Sequence, residues 1–458
     1  MKNKDHLREI IAAQKHGEPA GIASICSYNK YVIEAALQQA REDTSVVLIE
    51  STSNQVNQFG GYTGMKPDGF KEYIFSIARY MKFPVEQIIL GGDHLGPFPF
   101  RDETETAAME KSVKMIEGYV SAGCKKIHID TSMGLADDPG GTGWGLDPDV
   151  IALRCARLCS AAERAYDELK KQNRDYAPPL YVIGTEVPAP GGSDEVEEGV
   201  SVTKVSGFEE TVSITKALFY KKKLEQAWER VIAVVVQPGV EFGDHTIIEY
   251  DRGKTRELTD AVKRYPGLVF EGHSTDYQTA QHLKEMVEDG VAILKVGPAL
   301  TFAVREAVYM LSFMEEELFK SDRSVKLSAF IETFDSAMSR NPVHWQKYYT
   351  GTDKEVALKR KYSFFDRARY YWPDESVNDS LGLLIINLRS ADVPLSLVSQ
   401  FFPRQYNKIR LGLLENDPEA LIRDSVKSIL ENYSYAVGNF KEGGKRVRST
   451  PTTDTKGR

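Results

Sequence analysis

Val231-Ile232-Ala233-Val234-Val235-Val236-Gln237-Pro238-Gly239 decides the architecture. An unbroken apolar row cannot alternate between core and solvent, so it predicts a strand covered on both faces. The Gln-Pro-Gly that follows is a turn. Working outward, comparable strand-like runs, most of them continuous Val/Ile/Leu stretches, lie at 21–27, 45–50, 87–92, 125–131, 180–187, 268–272 and 291–296. Segments with helical apolar periodicity separate them, at 31–41, 70–81, 106–122, 150–171, 208–230, 255–265, 277–289 and 302–319. Doubly covered strands alternating with helices predict a parallel sheet, and strict alternation repeated to eight predicts a (β/α)8 TIM barrel. An open doubly wound sheet would gather its chemistry near one switch point. Here chemically capable residues recur after nearly every strand.

The barrel is expected over 1–320, with long strand-end loops at 51–69, 133–149 and 188–206. After Lys320 strand signals stop and aromatics become dense, among them Trp345, Tyr348, Tyr349, Tyr370, Tyr371 and Trp372. Helical patterns at 325–339, 356–369 and 418–433 make 321–440 an appended C-terminal helical region, its aromatics expected to be mainly core. Residues 441–458 read as a disordered polar tail.

The 458 residues carry a net charge of −8, with no basic stretch in the body suited to nucleic acid. No run approaches the ~18 apolar residues of a membrane span, and the N-terminus lacks a signal-peptide core. Cys26, Cys124, Cys155 and Cys159 form no Cys-x-x-Cys and read as free thiols of a cytoplasmic protein. No Gly-x-Gly-x-x-Gly joins a strand to a helix, which argues against nicotinamide, and neither a Walker motif nor Gly-x-Ser-x-Gly is present.

Of eight histidines, His94, His128, His245 and His273 fall at or just beyond strand ends, in the company of carboxylates. Imidazoles and carboxylates delivered by successive strand ends are what a divalent-metal site on a barrel needs. His94 and His273 are the leading ligands, with Glu186 and His245 completing the set. Asp93, Asp130 and Glu186 are the expected catalytic acids and bases. Alternation puts His128 and Asp130 on one face, with His128 one layer deeper as a support behind the ligands. Ser274 and Asp276 are expected to hydrogen-bond substrate hydroxyls. Lys295, Gly297 and Thr301, at a helix start after the eighth strand, either meet an anionic or polyhydroxyl ligand or belong simply to a helix cap.

Several longer motifs carry a resemblance: Glu50-Ser-Thr-Ser-Asn-Gln-Val-Asn-Gln58, Gly92-Asp-His-Leu-Gly-Pro97, Val236-Gln-Pro-Gly-Val-Glu-Phe242, Glu271-Gly-His-Ser-Thr-Asp-Tyr277 and Leu294-Lys-Val-Gly-Pro-Ala-Leu-Thr-Phe302. Over about residues 5–435 the chain resembles the tagatose-bisphosphate aldolase non-catalytic-subunit family. That family is similar to class II, zinc-dependent ketose-bisphosphate aldolases, which are (β/α)8 barrels, and some members look like stand-alone tagatose/fructose 4-epimerases. The resemblance implies that Asp93-His94 matches the aldolases' catalytic Asp and first zinc ligand, and His273 a later one. Gln237 stands where a zinc His is expected, and Ser274-Thr275-Asp276 replaces the Gly-rich phosphate cradle. Glu50 and Gln237, within the shared motifs, join the expected substrate contacts.

The leading expectation is therefore a ketohexose 4-epimerase that uses one divalent ion (Zn, Mn, Ni or Co) for retro-aldol cleavage and re-addition. The alternative is a subunit of a class II D-tagatose-1,6-bisphosphate aldolase, stabilising a catalytic chain or itself cleaving the bisphosphate. The expected partners are a ketose or ketose phosphate, and either a class II aldolase chain or further copies in a homo-oligomer.

Overall fold

The computed structural model describes residues 5–143, 145–184 and 200–439, together with the backbone of Lys441–Glu442 and Lys445–Arg446. Eight strands close into a parallel barrel: β1 Ile22–Cys26, β2 Val47–Thr52, β3 Ile88–Leu95, β4 Lys126–Ile129, β5 Leu180–Ile183, β6 Val231–Val236, β7 Val269–Gly272 and β8 Val291–Val296. Closure is made by β8 against β1, Ile22 facing Ile293. Helices follow the strands, so the expected (β/α)8 architecture is the observed one. The segment expected to extend β5 through 187, which includes Glu186, falls within 185–199 and lies outside the described residues. β3 runs further than expected, to Leu95, and its pairing with β4 shifts register between Gly92 and Leu95. His94 sits in that irregularity with φ +47°, a left-handed conformation that re-aims its side chain.

One expected helix is broken. The pattern at 208–230 divides into Val205–Lys221 and a single turn, Glu225–Trp228. Lys223 adopts φ +60°, and Leu224 N–H returns to Phe219 O, closing the first helix in a Schellman-type end.

The barrel interior is stratified. At the amino ends of the strands Ile22, Leu48, Leu180, Ile232, Val269 and Ile293 form an apolar plug, and helix His6–Lys15 caps it with Leu7 and Ile11. Above the plug the inward positions turn polar: Ser24, Glu50, Lys126, His128, Glu271 and Lys295 are all buried. An apolar layer below and a charged layer above direct the chemistry to the carboxyl ends of the strands.

After helix Pro298–Phe319 come helices Phe330–Arg340, Asp353–Tyr362, Glu375–Ser390, Leu395–Phe401, Pro403–Arg410 and Pro418–Ala436. The helix expected over 356–369 stops at Tyr362. Asp366 takes φ +44°, and a 3-10 turn, Arg367–Tyr371, replaces the remainder. That turn and the residues before it are tied to the barrel domain: Tyr28 Oη donates to Arg369 O at 2.9 Å, and Tyr277 Oη to Phe364 O at 2.7 Å. The last helix packs on Lys30–Asp43, Ala280–Glu288 and Pro298–Phe319, and Tyr433 Oη donates to Thr275 O at 2.9 Å. Among the described residues no helix is long and apolar enough to cross a membrane.

Candidate active site

Three imidazoles meet above the plug. Ring centroids are 4.8 Å apart for His94 and His273, and 5.3 Å for both His94–His128 and His128–His273. Alternation along each strand puts them there: Lys126, His128 and Asp130 share one face of β4 and its end, and Glu271 and His273 share one face of β7. Asp93 stands among the three rings. Its Oδ1 accepts from His128 Nδ1 at 2.7 Å and lies 3.9 Å from His273 Nε2, and its Oδ2 is 3.6 Å from His94 Nε2.

A buried ionic lattice surrounds them. Lys126 Nζ pairs with Glu50 at 2.9 Å and Glu271 at 2.8 Å. Lys295 Nζ pairs with Glu50 at 2.8 Å and Asp93 at 2.7 Å, and donates to Cys26 Sγ at 2.9 Å. Burial opposes the lysine charges, but Glu271 and Glu50 around Lys126, and Asp93, Cys26 and Glu50 around Lys295, hold both above the usual range. Two ammoniums against the carboxylates of Glu50, Asp93 and Glu271 leave one negative charge in this layer. Isolated charges at such depth would be untenable, and the opposite charges paired within this lattice offset that cost.

The imidazoles are tuned apart. His94 Nδ1 is bound to Asp130 Oδ2 at 2.8 Å. Burial works against a charge on His94, yet Asp93 and Asp130 outweigh it and raise its pKa above the usual histidine value. Burial also opposes the charge of Asp130, but the His94 hydrogen bond and further contacts bring it down to about 2. Burial pulls His273 down to about 4, so it is neutral near pH 7. A protonated imidazole beside a neutral one is an acid next to a ligand or acceptor.

Asp93, His128, Glu271 and His273 could hold a metal ion: each offers one donor atom, and these atoms lie within 4.8 Å of one another. Among the described residues nothing hydrogen-bonds the buried His128 Nε2. An orphaned imidazole nitrogen, the residual negative charge and an imidazole–carboxylate donor set all suit a divalent cation. A pocket opens above this centre, lined by Cys26, Gln55, Tyr62, Asp93, His94, Phe242, His273, Ser274, Asp276, Lys295, Arg369 and Tyr370 among others.

Placed against the sequence expectations, Asp93, His94, Asp130 and His273 come together, and Ser274, Asp276, Lys295 and Gly297 line the cavity. Others are placed elsewhere. His245, expected as a ligand, has a side chain 79% exposed and pairs with Asp244, because it lies in the turn between the short antiparallel strands Glu241–Phe242 and Ile247–Ile248. Gln237 turns back into its own loop, accepting from Gly239 N at 2.8 Å and Val240 N at 3.1 Å. Gly297 N–H is spent on Asp276 Oδ1 at 3.0 Å, as is Ala299 N–H at 2.8 Å, so the helix start is capped from within. Thr301 donates to Asp366 beneath the helical region. Glu50 is fully buried in the ionic layer. His128, expected behind the ligands, joins the candidate set directly. Glu271 was not among the expected site residues, although its spacing of two from His273 on a strand was a usable signal. Lys126 stands in the same relation to His128.

The fold and site together define a (β/α)8 barrel with a buried histidine–carboxylate centre, able to hold a metal ion, at the carboxyl ends of its strands. The family model described as D-tagatose-1,6-bisphosphate aldolase subunit GatZ/KbaZ-like matches residues 7–438, and the chain belongs to that family. It is 47% identical over 430 residues to the D-tagatose-1,6-bisphosphate aldolase subunit GatZ of Klebsiella pneumoniae, covering 94% of this chain and 98% of that protein. It is 46% identical over 430 residues to the same subunit of Salmonella newport, with the same coverage. A crystal structure described as a probable tagatose 6 phosphate kinase from Sinorhizobium meliloti 1021 superposes with a TM-score of 0.81 at 41% identity, covering 91% of this chain and 100% of that one.

Proposed function

We propose that the chain is a subunit of a D-tagatose-1,6-bisphosphate aldolase, assembling with a catalytic class II aldolase chain, and that its own barrel engages an open-chain ketose or ketose phosphate. The observation that carries the subunit reading is the match to GatZ relatives across 98% of their length. Asp93, His128, Glu271 and His273 would hold a divalent cation, which when bound polarises a ketose carbonyl and stabilises enediolate charge. The test is reconstitution: a class II aldolase chain is assayed for cleavage of tagatose 1,6-bisphosphate with and without this chain. Co-purification and a gain in activity or lifetime are expected. An aldolase indifferent to the addition would defeat the reading.

A second reading keeps the same site and makes this chain the catalyst of 4-epimerisation. It is favoured by the acid–base equipment, which exceeds what a scaffold requires. With Asp93 left off the cation, it would take the C4 hydroxyl proton as C3–C4 breaks; His94, protonated and oriented by Asp130, would return one to the aldehyde oxygen on re-addition, and the proton on Asp93 would pass to His94 Nε2, 3.6 Å away, to reset the pair. Conversion of tagatose to fructose by the isolated, metal-loaded chain would support it, and none with Zn, Mn, Ni or Co would remove it.

A further inference from the structure

Arg369 lines the cavity but comes from outside the barrel, on the 3-10 turn Arg367–Tyr371. It is 8% exposed. Its Nη1 donates to the carbonyl oxygens of Phe365 and Asp366, and its Nη2 to Tyr370 Oη at 3.1 Å. These bonds fix the plane of the guanidinium without cancelling its charge. Among the described residues no carboxylate forms an ion pair with it. The adjacent Asp366 is taken by Thr301 at 2.5 Å and Arg305 at 3.1 Å. Asp276, on the cavity wall, is committed to the amides of Gly297 and Ala299.

A second guanidinium stands behind the first. Arg367 lies over the Tyr348 ring at 3.3 Å and donates from Nη1 to Tyr370 Oη at 3.4 Å. It is 4% exposed, and its buried Nε and Nη2 have no partner among the described residues. Tyr370 Oη thus accepts from two cations and keeps its own hydrogen to give. Among the described residues no acceptor takes that hydrogen. The Tyr370 ring is held in place by His344, stacked at 4.6 Å, and by Tyr62 edge-on at 4.6 Å.

A buried guanidinium without a counter-ion is costly, and one beside a polarised phenol donor at a cavity wall is an arrangement for an anion. Resting on the reading that the cavity engages a ketose, we propose that Arg369 and Tyr370 form a subsite for the charged terminus of that sugar, a phosphate or a carboxylate. A neutral sugar leaves the guanidinium only the longer-range charges of Asp276 and Asp366, which are hydrogen-bonded elsewhere, and an anionic one pairs with it directly. The helical region thereby sets the substrate class while the barrel supplies the reacting groups.

Calorimetric titration of the full-length chain tests this without turnover or a partner, so its outcome is separable from that of the reconstitution assay. The probes are inorganic phosphate, free tagatose, tagatose 6-phosphate and a ketohexuronate carrying a C6 carboxylate. One charged sugar is expected to bind at least about tenfold tighter than free tagatose. Tagatose 6-phosphate as the tighter ligand, with inorganic phosphate competing, identifies a phosphate; the uronate as the tighter ligand identifies a carboxylate. Arg369→Gln is expected to abolish the preference. Tyr370→Phe, which keeps the ring packing, is expected to weaken the charged sugar several-fold while leaving free tagatose unchanged. Equal binding of charged and neutral sugars, binding of none of the probes, or a preference that survives both substitutions overturns the proposal.

Discussion

His94 Nδ1 and Asp130 Oδ2 are 2.8 Å apart at the ends of adjacent strands, both groups almost fully buried. The carboxylate is further fixed by Ser132, whose N–H and Oγ donate to Asp130 Oδ1 at 3.1 and 2.7 Å. Asp130 therefore acts on the chemistry through the imidazole it orients.

Asp130→Asn removes the charge that favours protonated His94. The pKa of His94, followed by NMR titration, is expected to fall, and stability by about 3 kcal/mol, as for breaking one side of a buried pair. The signs follow from the shifts. Asp130, depressed to about 2, contributes stability that is present above about pH 4 and lost as pH falls toward 2. His94, raised, contributes stability that is present below about pH 6.5 and lost as pH climbs through its elevated value. An unchanged His94 titration in the variant would contradict the assignment.

Glu241 is expected to give the protein a pH-dependent weakness near neutrality. Burial raises its pKa to about 7, even though Phe242 N–H donates to it at 3.0 Å. Its neutral form is the one the fold prefers. The associated stability is full below about pH 4.5 and is lost as pH rises through 7, an effect of up to about 3 kcal/mol. Glu241→Gln should flatten urea-denaturation stability between pH 5 and 8; a variant as pH-sensitive as the parent would refute this.

Ion content separates the candidate ligands. The chain is expected to retain about one divalent ion on metal analysis, and His128→Ala or His273→Ala to lose it, along with thermal stabilisation of about 2–3 kcal/mol at ion concentrations near 100 times Kd. His245→Ala should leave both unchanged. Loss of the ion in the His245 variant alone would place the site elsewhere.

Beneath the helical region, Asp366 is the only described carboxylate that pairs with Arg305. Asp366→Ala should cost about 3–5 kcal/mol by stranding a buried guanidinium. Thr301→Val removes one hydrogen bond to the same carboxylate and should cost about 1–2 kcal/mol. Chemical denaturation of the two variants gives the order, and a Thr301 effect equal to that of Asp366 would show the ion pair contributes little.

The barrel was legible because unbroken runs such as Val231–Val236 have one physical reading, burial on both sides. The histidines at strand ends were legible for the same reason, since strand direction says which end carries chemistry. Glu271 and Lys126 were recoverable from a two-residue period but were masked by belonging to strands read as apolar. The loop positions fared differently. Whether His245 or Gln237 points inward depends on turn geometry that neighbouring residues alone do not determine. Arg369 and Tyr370 had no local signal, because an aromatic-rich helical segment reads as core until the fold shows which of its side chains reach the mouth.

The wall of the barrel is finished by a helix that follows all eight strands in the chain. Helix Pro418–Ala436 lies against Lys30–Asp43 and Pro298–Phe319, with Tyr433 hooked to Thr275. A ribosome will have emitted all eight strands well before the piece that seals the seam between first and last. Until then Ile25, Ala36 and Ala40, which lie beside Leu430 and Tyr433 in the finished fold, face an open flank, a natural binding surface for a chaperone. Synthesis terminated before residue 418 should yield a species marked for proteolysis rather than a smaller working protein.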